Sequence, residues 1–242
     1  MSEEDHPPQV TSVRAGRPPG LHDRGVRTDI DPDEFGRRPF YRILTSTVVP
    51  RPIAWVSSIS ADGVVNLAPH SFFTVSCVDP PMVQFTSVGK KDSLRNVLAT
   101  GEFVVCLAPE PLFEQINATG TDFPPDVDEF AAVGLTPEPS ATVAPPRVAE
   151  SPVALECRLH QALELGDCTV VIGRVLHAAI DASTFDKELA EGGLPRIDAL
   201  QPLARLGRDE WSTIGEVREI RRIRHQDWPG HYSPTARPSS SS

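Results

Sequence analysis

Two long apolar stretches separated by a two-residue turn constrain the fold of this 242-residue chain most strongly. The stretches are "VALECRLHQALEL" (residues 153–165) and "CTVVIGRVLHAAI" (residues 168–180), and they flank the turn-forming pair "GD". Both either alternate between apolar and polar residues or run apolar, as strands of a sheet do. The pattern predicts a long hairpin and therefore antiparallel pairing.

Shorter strands precede this hairpin. "PIAWVSSIS", the turn "ADG" and "VVNLA" predict a hairpin over residues 52–68, and "SFFTVSC" and "PMVQFTS" predict strands on either side of "VDPP". The spacing of apolar residues becomes helical in "KDSLRNVLATGEF". We expect a helix there with Asp92 or Ser93 as N-cap and Gly101 at its end. A strand at "EFVVCLA", a short helix at "PLFEQINATG" and an irregular acidic connection over residues 120–150 follow. Five to seven strands with one or two short helices predict a mainly β protein, an antiparallel barrel whose closure removes exposed edges.

The prolines indicate where the ordered part of the chain lies. There are 25, and they cluster near the N-terminus, in the middle and at the C-terminal tail. We expect one compact domain over residues 35–222, a partly disordered N-terminal extension over residues 1–34 and a tail over residues 223–242.

Charge and composition exclude several classes of protein. A net charge of −10 argues against nucleic acid or an anionic membrane as the main partner, since both favour a basic face. We find no apolar run of about 20 residues and no secretory signal. The cysteines show no CxxC spacing, which favours free thiols in a reducing cytoplasm, and the histidines show no metal-ligand spacing, so no metal site is expected.

Two segments carry the candidate chemistry. Pro50 and Pro52 restrict the backbone around Arg51, which suits either a rigid strand entry or a ligand clamp. Residues 66–96 place neutral hydrogen-bonding side chains on apolar strands and two lysines just before the start of a helix. A planar ring with polar edges and a phosphate needs this mixture, because helix N-termini and lysines bind anions. Taken alone, the segment is better explained as an ordinary capped surface helix with solvated lysines.

The chain resembles a known family in several ordered segments. "PRPIAWVSS", "NLAPHSFFTVSCVDPPMV", "KDSLRN", "GEFVV", "SPVALECRL" and "GRV" resemble the flavin reductase family with an FMN-binding split barrel of Greek-key type, close to flavoredoxin. The resemblance spans roughly residues 38–215. It implies a homodimer with FMN at or near the subunit interface and NAD(P)H as a transient hydride donor.

The resemblance also implies a set of FMN-binding residues, although no catalytic residue follows from it. The resemblance places on the strand beside the flavin Arg51, Pro52, Ile53 and Trp55. It places at the ring and ribityl chain Asn66, Leu67, Ala68 and Ser71. It places at the phosphate Ser87, Lys91, Asp92 and Ser93. On this interpretation the Arg51 charge meets the flavin or its phosphate. The alternative is that Arg51 pairs with a carboxylate at the barrel rim.

Three functions remain open at this level. The first is an NAD(P)H-dependent flavin reductase that supplies reduced flavin to a monooxygenase partner. The others are an FMN-binding electron carrier without its own NAD(P)H activity and an FMN-dependent enzyme acting on an organic substrate bound over the flavin. Cys168 stands where many relatives carry histidine, and Trp211 where they often carry tyrosine. These departures put the nicotinamide side of the reaction in doubt.

Overall fold

The computed structural model describes residues 27–228. Most of the predicted N-terminal extension (1–34) and most of the predicted tail (223–242) lie outside the described residues.

Twelve strands and six α-helices make up the described part of the chain. The strands are β1 (Arg51–Pro52), β2 (Ala54–Ile59), β3 (Val65–His70), β4 (Phe73–Cys77), β5 (Met82–Val88), β6 (Glu102–Leu107), β7 (Pro137–Glu138), β8 (Arg147–Val148), β9 (Val153–Leu165), β10 (Cys168–Ile180), β11 (Ala204–Arg205) and β12 (Trp211–Ser212). The helices are α1 (Pro32–Phe35), α2 (Arg37–Thr47), α3 (Asp92–Thr100), α4 (Phe113–Ala118), α5 (Glu129–Val133) and α6 (Ile197–Leu200).

A seven-stranded antiparallel sheet with the order β3-β2-β6-β9-β10-β5-β4 forms the body of the protein. Its two edge strands, β3 and β4, are consecutive in the chain and are joined by residues 71 and 72 alone. The sheet must therefore curl until its edges approach each other. The result is the predicted mainly β fold, an antiparallel split barrel with a few short helices, and a gap remains between the edges.

The predicted long hairpin is confirmed at both ends: β9 and β10 each have 13 residues and pair along their length. The register shifts between Ile172 and Gly173. At Gly173 a Cβ atom would lie 2.2 Å from the ring of Phe103, so only glycine lets β10 pass this close to the aromatic core.

Strand β2 is buried on both faces. Ala54 and Val56 pack with Phe85, Leu94 and neighbouring residues inside the barrel and under α3. Trp55 packs on the other face, in a cluster that includes residues of the α4 and α5 region. Because both faces of β2 are covered, the stretch around residues 53–58 shows an apolar run rather than strict alternation.

Helix α3 is confirmed, with Gly101 in the left-handed conformation at its C-cap, but its predicted N-cap is wrong. Lys91 occupies the N-cap position because the helix begins at Asp92, and its side chain makes no capping bond because an ammonium group has no acceptor atom. Residues 120–150 are more ordered than predicted, since they contain α5, β7 and β8. Within residues 27–228, no helix has the length and apolar character needed to cross a bilayer.

Candidate functional site

A cleft of about 320 Å³, here called the first cleft, opens at the gap between the two sheet edges. Strand β3 forms one wall, Thr86 and Val88 of β5 form another, and the start of α3 closes one end. The segment 119–123, which follows α4, covers the remaining side together with Tyr41 of α2. The split in the barrel is thus what creates the cavity.

A buried hydrogen-bond network fixes β3 to the start of α3. Asn66 Nδ2 donates to Ser93 Oγ at 3.1 Å, and Ser93 Oγ lies 3.2 Å from His70 Nε2. Burial lowers the pKa of His70 to about 4, so the imidazole is neutral at pH 7. Since the ring also bonds the Thr86 backbone, Nε2 is left to accept the Ser93 proton.

The start of α3 presents free donors and a cation to the first cleft. Lys91 and Asp92 line it, and Lys91 is the N-cap without a capping side chain. The first backbone N–H groups of a helix have no partners within that helix, and they carry its positive partial charge. Nearby carboxylates are paired, Asp122 with Lys91 Nζ at 3.0 Å and Asp92 with Arg95. This end of the cleft therefore suits an anion that competes with Asp122 for the lysine.

Glu129, the first residue of α5, brings a buried carboxyl group to the wall of the first cleft. Its Oε2 accepts the Leu67 N–H at 3.0 Å. Because β3 is a sheet edge, this N–H points away from β2 and has no strand partner. Burial raises the pKa of the carboxyl group. Hydrogen bonds from two backbone N–H groups lower the pKa, but they offset only part of this rise.

Arg51 is buried and bound by carbonyl oxygens. Its guanidinium donates to the carbonyls of Thr45 and Val48 at the end of α2, the latter at 2.9 Å, and to the carbonyl of Leu206 at 2.7 Å. The carboxylate partner considered from the sequence is replaced by these neutral acceptors. The stiff Pro-Arg-Pro segment ties α2 and the 204–206 strand region to the mouth of β2.

A second cleft of about 230 Å³ adjoins the first. Pro69, Ser71 and Gly120 line both clefts, while Arg205 and Trp211 line only the second. The guanidinium carbon of Arg205 lies 4.8 Å from the centre of the Trp211 ring, which packs edge-on against Phe113 at 5.3 Å. The two clefts thus form one surface with a polar, anion-compatible end and an aromatic, cationic end.

Seven of the twelve predicted site residues line the two clefts. The first cleft is lined by Asn66, Ala68, Ser71, Lys91, Asp92 and Ser93, and the second by Ile53 and Ser71. The remaining predicted residues line neither cleft; they are Arg51, Pro52, Trp55, Leu67 and Ser87.

Hydrogen bonds within the protein occupy four of these five residues, including Arg51, whereas Pro52 is exposed on β1. The Trp55 indole donates to Thr119 Oγ1 at 2.9 Å inside the protein, and Leu67 contributes its N–H to Glu129. The Ser87 hydroxyl donates to the carbonyl of Gly89 at 2.9 Å, and that of Ser93 is used by His70. Phosphate binding at Ser93 therefore has to use the backbone N–H, and Ser87 supports the turn before α3.

Sequence reasoning missed the side of the first cleft that residues 119–123 and Glu129 provide. They fall in or beside the segment expected to be an irregular connection, and the bond from Glu129 to β3 spans 62 positions of sequence. The acidic "DEF" after a proline-rich stretch was the available signal, since Asp128 caps α5 in the structure.

Cys168 lies opposite Val88, at the rim of the first cleft. Burial and the neighbouring Asp167 raise the pKa of its thiol, so it is protonated at pH 7. Among residues 27–228, no group of three or more histidine, cysteine or acidic side chains is arranged to hold a metal ion.

Known proteins are similar to this chain in sequence. A family model described as "Flavin reductase like domain" matches residues 45–196. A protein of Aquifex aeolicus is 40% identical over 172 residues, which cover 69% of this chain and 86% of that protein.

Two solved structures are similar over nearly the whole fold. Nitrilotriacetate monooxygenase component B from Bacillus cereus is 31% identical with a TM-score of 0.77, covering 81% of this chain and 100% of that one. The 2-nitrobenzoate 2-nitroreductase of Pseudomonas fluorescens is 29% identical with a TM-score of 0.73, covering 88% of this chain and 100% of that one.

Proposed function

The chain belongs to the flavin reductase-like family, and from this membership we propose that it is an FMN-binding oxidoreductase, an NAD(P)H-dependent flavin reductase. The observation that carries the proposal is the first cleft. It joins an uncapped helix N-terminus and Lys91 to a strand edge with neutral hydrogen-bonding groups, within one cavity. We further propose that residues 35–222 form the flavin-binding domain.

The phosphate of FMN fits the α3 end of the cleft. The first-turn N–H groups of α3 and the Lys91 ammonium supply charge-assisted donors for a dianion. Asp122, which pairs with Lys91, has a side chain that is 90% exposed, so the lysine can exchange this partner for a phosphate at small cost.

The flavin ring fits the β3 side of the cleft. Asn66 and Ser71 provide neutral polar groups for ring edges and ribityl hydroxyls, and Tyr41, Phe72 and Phe123 provide aromatic surface. Such a mixture of apolar walls with a few polar groups is typical of cofactor sites. FMN held by these residues would supply the redox chemistry, which is acceptance of a hydride from NAD(P)H together with a proton from solvent.

A second copy of the chain and an oxygenase are the proposed partners. The part of β9 beyond Arg158 extends past its pairing with β6, and the exposed Leu163 and Leu165 lie on this projecting hairpin. An open edge with exposed apolar side chains favours a homodimer contact. The similarity to a monooxygenase component supports delivery of reduced flavin to an oxygenase.

One alternative function has a specific observation in its favour. The similarity to a nitroreductase supports an FMN-dependent enzyme that reduces an organic substrate bound above the flavin. The second cleft, which adjoins the first, provides space for such a substrate.

An anaerobic titration of the FMN-loaded protein with NADH and NADPH tests the proposal. We expect rapid bleaching of the flavin absorbance by at least one of the two nucleotides. Reduction by dithionite alone would contradict the reductase function and favour the electron carrier or the organic-substrate enzyme. Protein that takes up no FMN would contradict all three.

A further inference from the structure

The second cleft has apolar and aromatic side chains to which the proposed flavin site assigns no role. Its volume of about 230 Å³ is below the roughly 300–1,000 Å³ of pockets for drug-sized ligands, so it holds about one ring with a substituent. Ile53 and Pro69 give it apolar surface, and Trp211 gives it a flat aromatic wall.

Arg205 places a cation beside that aromatic wall. Its side chain is 24% exposed, and its guanidinium lies 4.8 Å from the centre of the Trp211 ring. One nitrogen donates to the Arg208 carbonyl at 2.8 Å and lies 3.5 Å from an oxygen of Asp209, which is fully exposed. Exposed pairs of this kind are weak, so the guanidinium retains donors for another anion.

A second arginine strengthens the positive charge at this end. Arg51 on β1 lies directly opposite Arg205 on β11 in an antiparallel pair. The acceptors of Arg51 are carbonyl oxygens, which bring no formal negative charge. Like charges placed opposite each other destabilise a strand pair, and an anion bound at Arg205 relieves this repulsion.

The aromatic wall is rigid and close to the flavin site. Trp211 is held edge-on by Phe113 at 5.3 Å and is stacked by Arg205 on its face. Ser71 lines both clefts, so a ring in the second cleft lies next to the contents of the first. A rigid aromatic surface with an adjacent cation selects a planar anion, because both groups are ordered before the ligand arrives.

We propose that the second cleft binds an aromatic carboxylate, with its ring against Trp211 and its carboxylate on Arg205. The site is defined by these side chains whether or not flavin is bound. Its role as the substrate site of the flavin chemistry rests on the proposed function.

Calorimetric titration of the full chain in excess FMN, with benzoate as the probe, tests this inference. Benzamide serves as the neutral ligand of the same shape, and cyclohexanecarboxylate as the non-planar anion. We expect benzoate to bind at least about tenfold more tightly than benzamide, which cannot form the charged pair with Arg205. We expect it also to bind more tightly than cyclohexanecarboxylate, whose puckered ring cannot lie flat on Trp211. Equal binding of benzoate and benzamide, or no benzoate binding, overturns the proposal without any variant.

Variants locate the binding on the two residues. We expect Arg205→Gln to weaken benzoate binding about ten- to hundredfold, with a smaller loss for Arg205→Lys, and Trp211→Leu to weaken it as well. Arg218→Gln is the matched control, because Arg218 pairs at short range with Glu216 and lies outside both clefts. Wild-type benzoate affinity in a folded Arg205→Gln protein overturns the proposal.

FMN affinity, measured separately by fluorescence quenching, distinguishes this inference from the proposed function. Benzoate binding that depends on Arg205 in a protein that takes up no FMN supports the site and contradicts the flavin function. FMN uptake without discrimination between benzoate and benzamide overturns the site and leaves the flavin function in place.

Discussion

Two glutamates are buried within residues 27–228, and the regions around them treat a carboxylate in opposite ways. Glu156 lies on β9 beneath the segment that connects β7 and β8, away from both clefts. Glu129 lies at the wall of the first cleft. Glu156 is a carboxylate that holds the fold together, whereas Glu129 faces a candidate binding site.

Glu156 is surrounded by donors. Its oxygens accept the backbone N–H groups of Ala141 at 2.9 Å and Thr142 at 2.6 Å, the Thr142 hydroxyl, and the Arg147 guanidinium with Nε at 2.8 Å. Burial alone would raise the pKa of the carboxyl group, but these hydrogen bonds outweigh it and lower the pKa to about 2. The ionised form is therefore built into the fold.

Glu129 has fewer donors, which are its own backbone N–H and that of Leu67, and its pKa is raised because burial dominates. Buried carboxyl groups with a raised pKa cluster at functional sites, where the fold does not fully compensate them. Stability therefore depends on the Glu156 region, whereas Glu129 presents its carboxyl group to the first cleft.

Replacing Glu156 is expected to cause the largest loss of stability. In Glu156→Gln, the largely buried Arg147 loses its buried ionised partner and retains the half-exposed Glu138 at 3.7 Å, and we expect the free energy of unfolding at pH 7 to fall by about 3–5 kcal/mol. Denaturant unfolding measures this change. Glu150→Gln is the control, because Glu150 also accepts a backbone N–H, from Thr136, but on the exposed surface. Similar losses for the two variants would refute the structural role of Glu156.

Changing the cleft should instead alter ligand affinity. Lys91→Ala removes the ammonium proposed to bind the phosphate, and we expect FMN to bind about ten- to hundredfold more weakly while riboflavin, which lacks a phosphate, changes little. Flavin fluorescence quenching measures both ligands.

Lys90→Ala is the matched control for that experiment, because Lys90 precedes Lys91 and does not line the cleft. Equal weakening of FMN and riboflavin would place the phosphate elsewhere. If Lys91→Ala lowered the free energy of unfolding as much as Glu156→Gln does, the cleft would matter for stability as much as the Glu156 region.

The parts of the fold that were predictable are those with local signals. The β9–β10 hairpin and helix α3 each follow a periodic pattern that ends at a turn or capping glycine. Helix α2 was not predicted, because "RRPFYRILTST" contains a proline and six residues of modest helix propensity. Its C-terminal carbonyls are satisfied from outside by Arg51.

The candidate site was predictable only where it lies on one continuous stretch. Asn66 and Ser93 share the stretch 66–96, so the sequence placed them together correctly. Glu129 bonds Leu67 across 62 positions of sequence, and no period or spacing signals such a contact. The hydroxyl of Ser93 shows the same limit, since its partner His70 becomes a neighbour only when β3 reaches α3.

The two glutamates should also differ in how they make stability depend on pH. This is the smallest of the expected effects. The ordinary pKa of a glutamate here is 4.5, and Glu129 lies above it when folded. The folded state therefore holds a proton that the unfolded state has lost, so Glu129 reduces stability as pH rises from 4.5 through its folded pKa. Glu156 has the opposite sign, because its contribution is present above 4.5 and is lost as pH falls towards about 2.

Glu129→Gln tests this sign, since glutamine has no proton to lose and its amide oxygen still accepts the Leu67 N–H. We expect the variant to become more stable relative to wild type as pH rises from 4.5 to 7, with a difference of about 1 kcal/mol or less. Denaturant unfolding at a series of pH values measures it. In Glu156→Gln the deficit should instead shrink as pH falls below 4.5, because wild type then loses what the variant already lacks. Slopes of the same sign for both variants would mean that the two carboxylates are held alike.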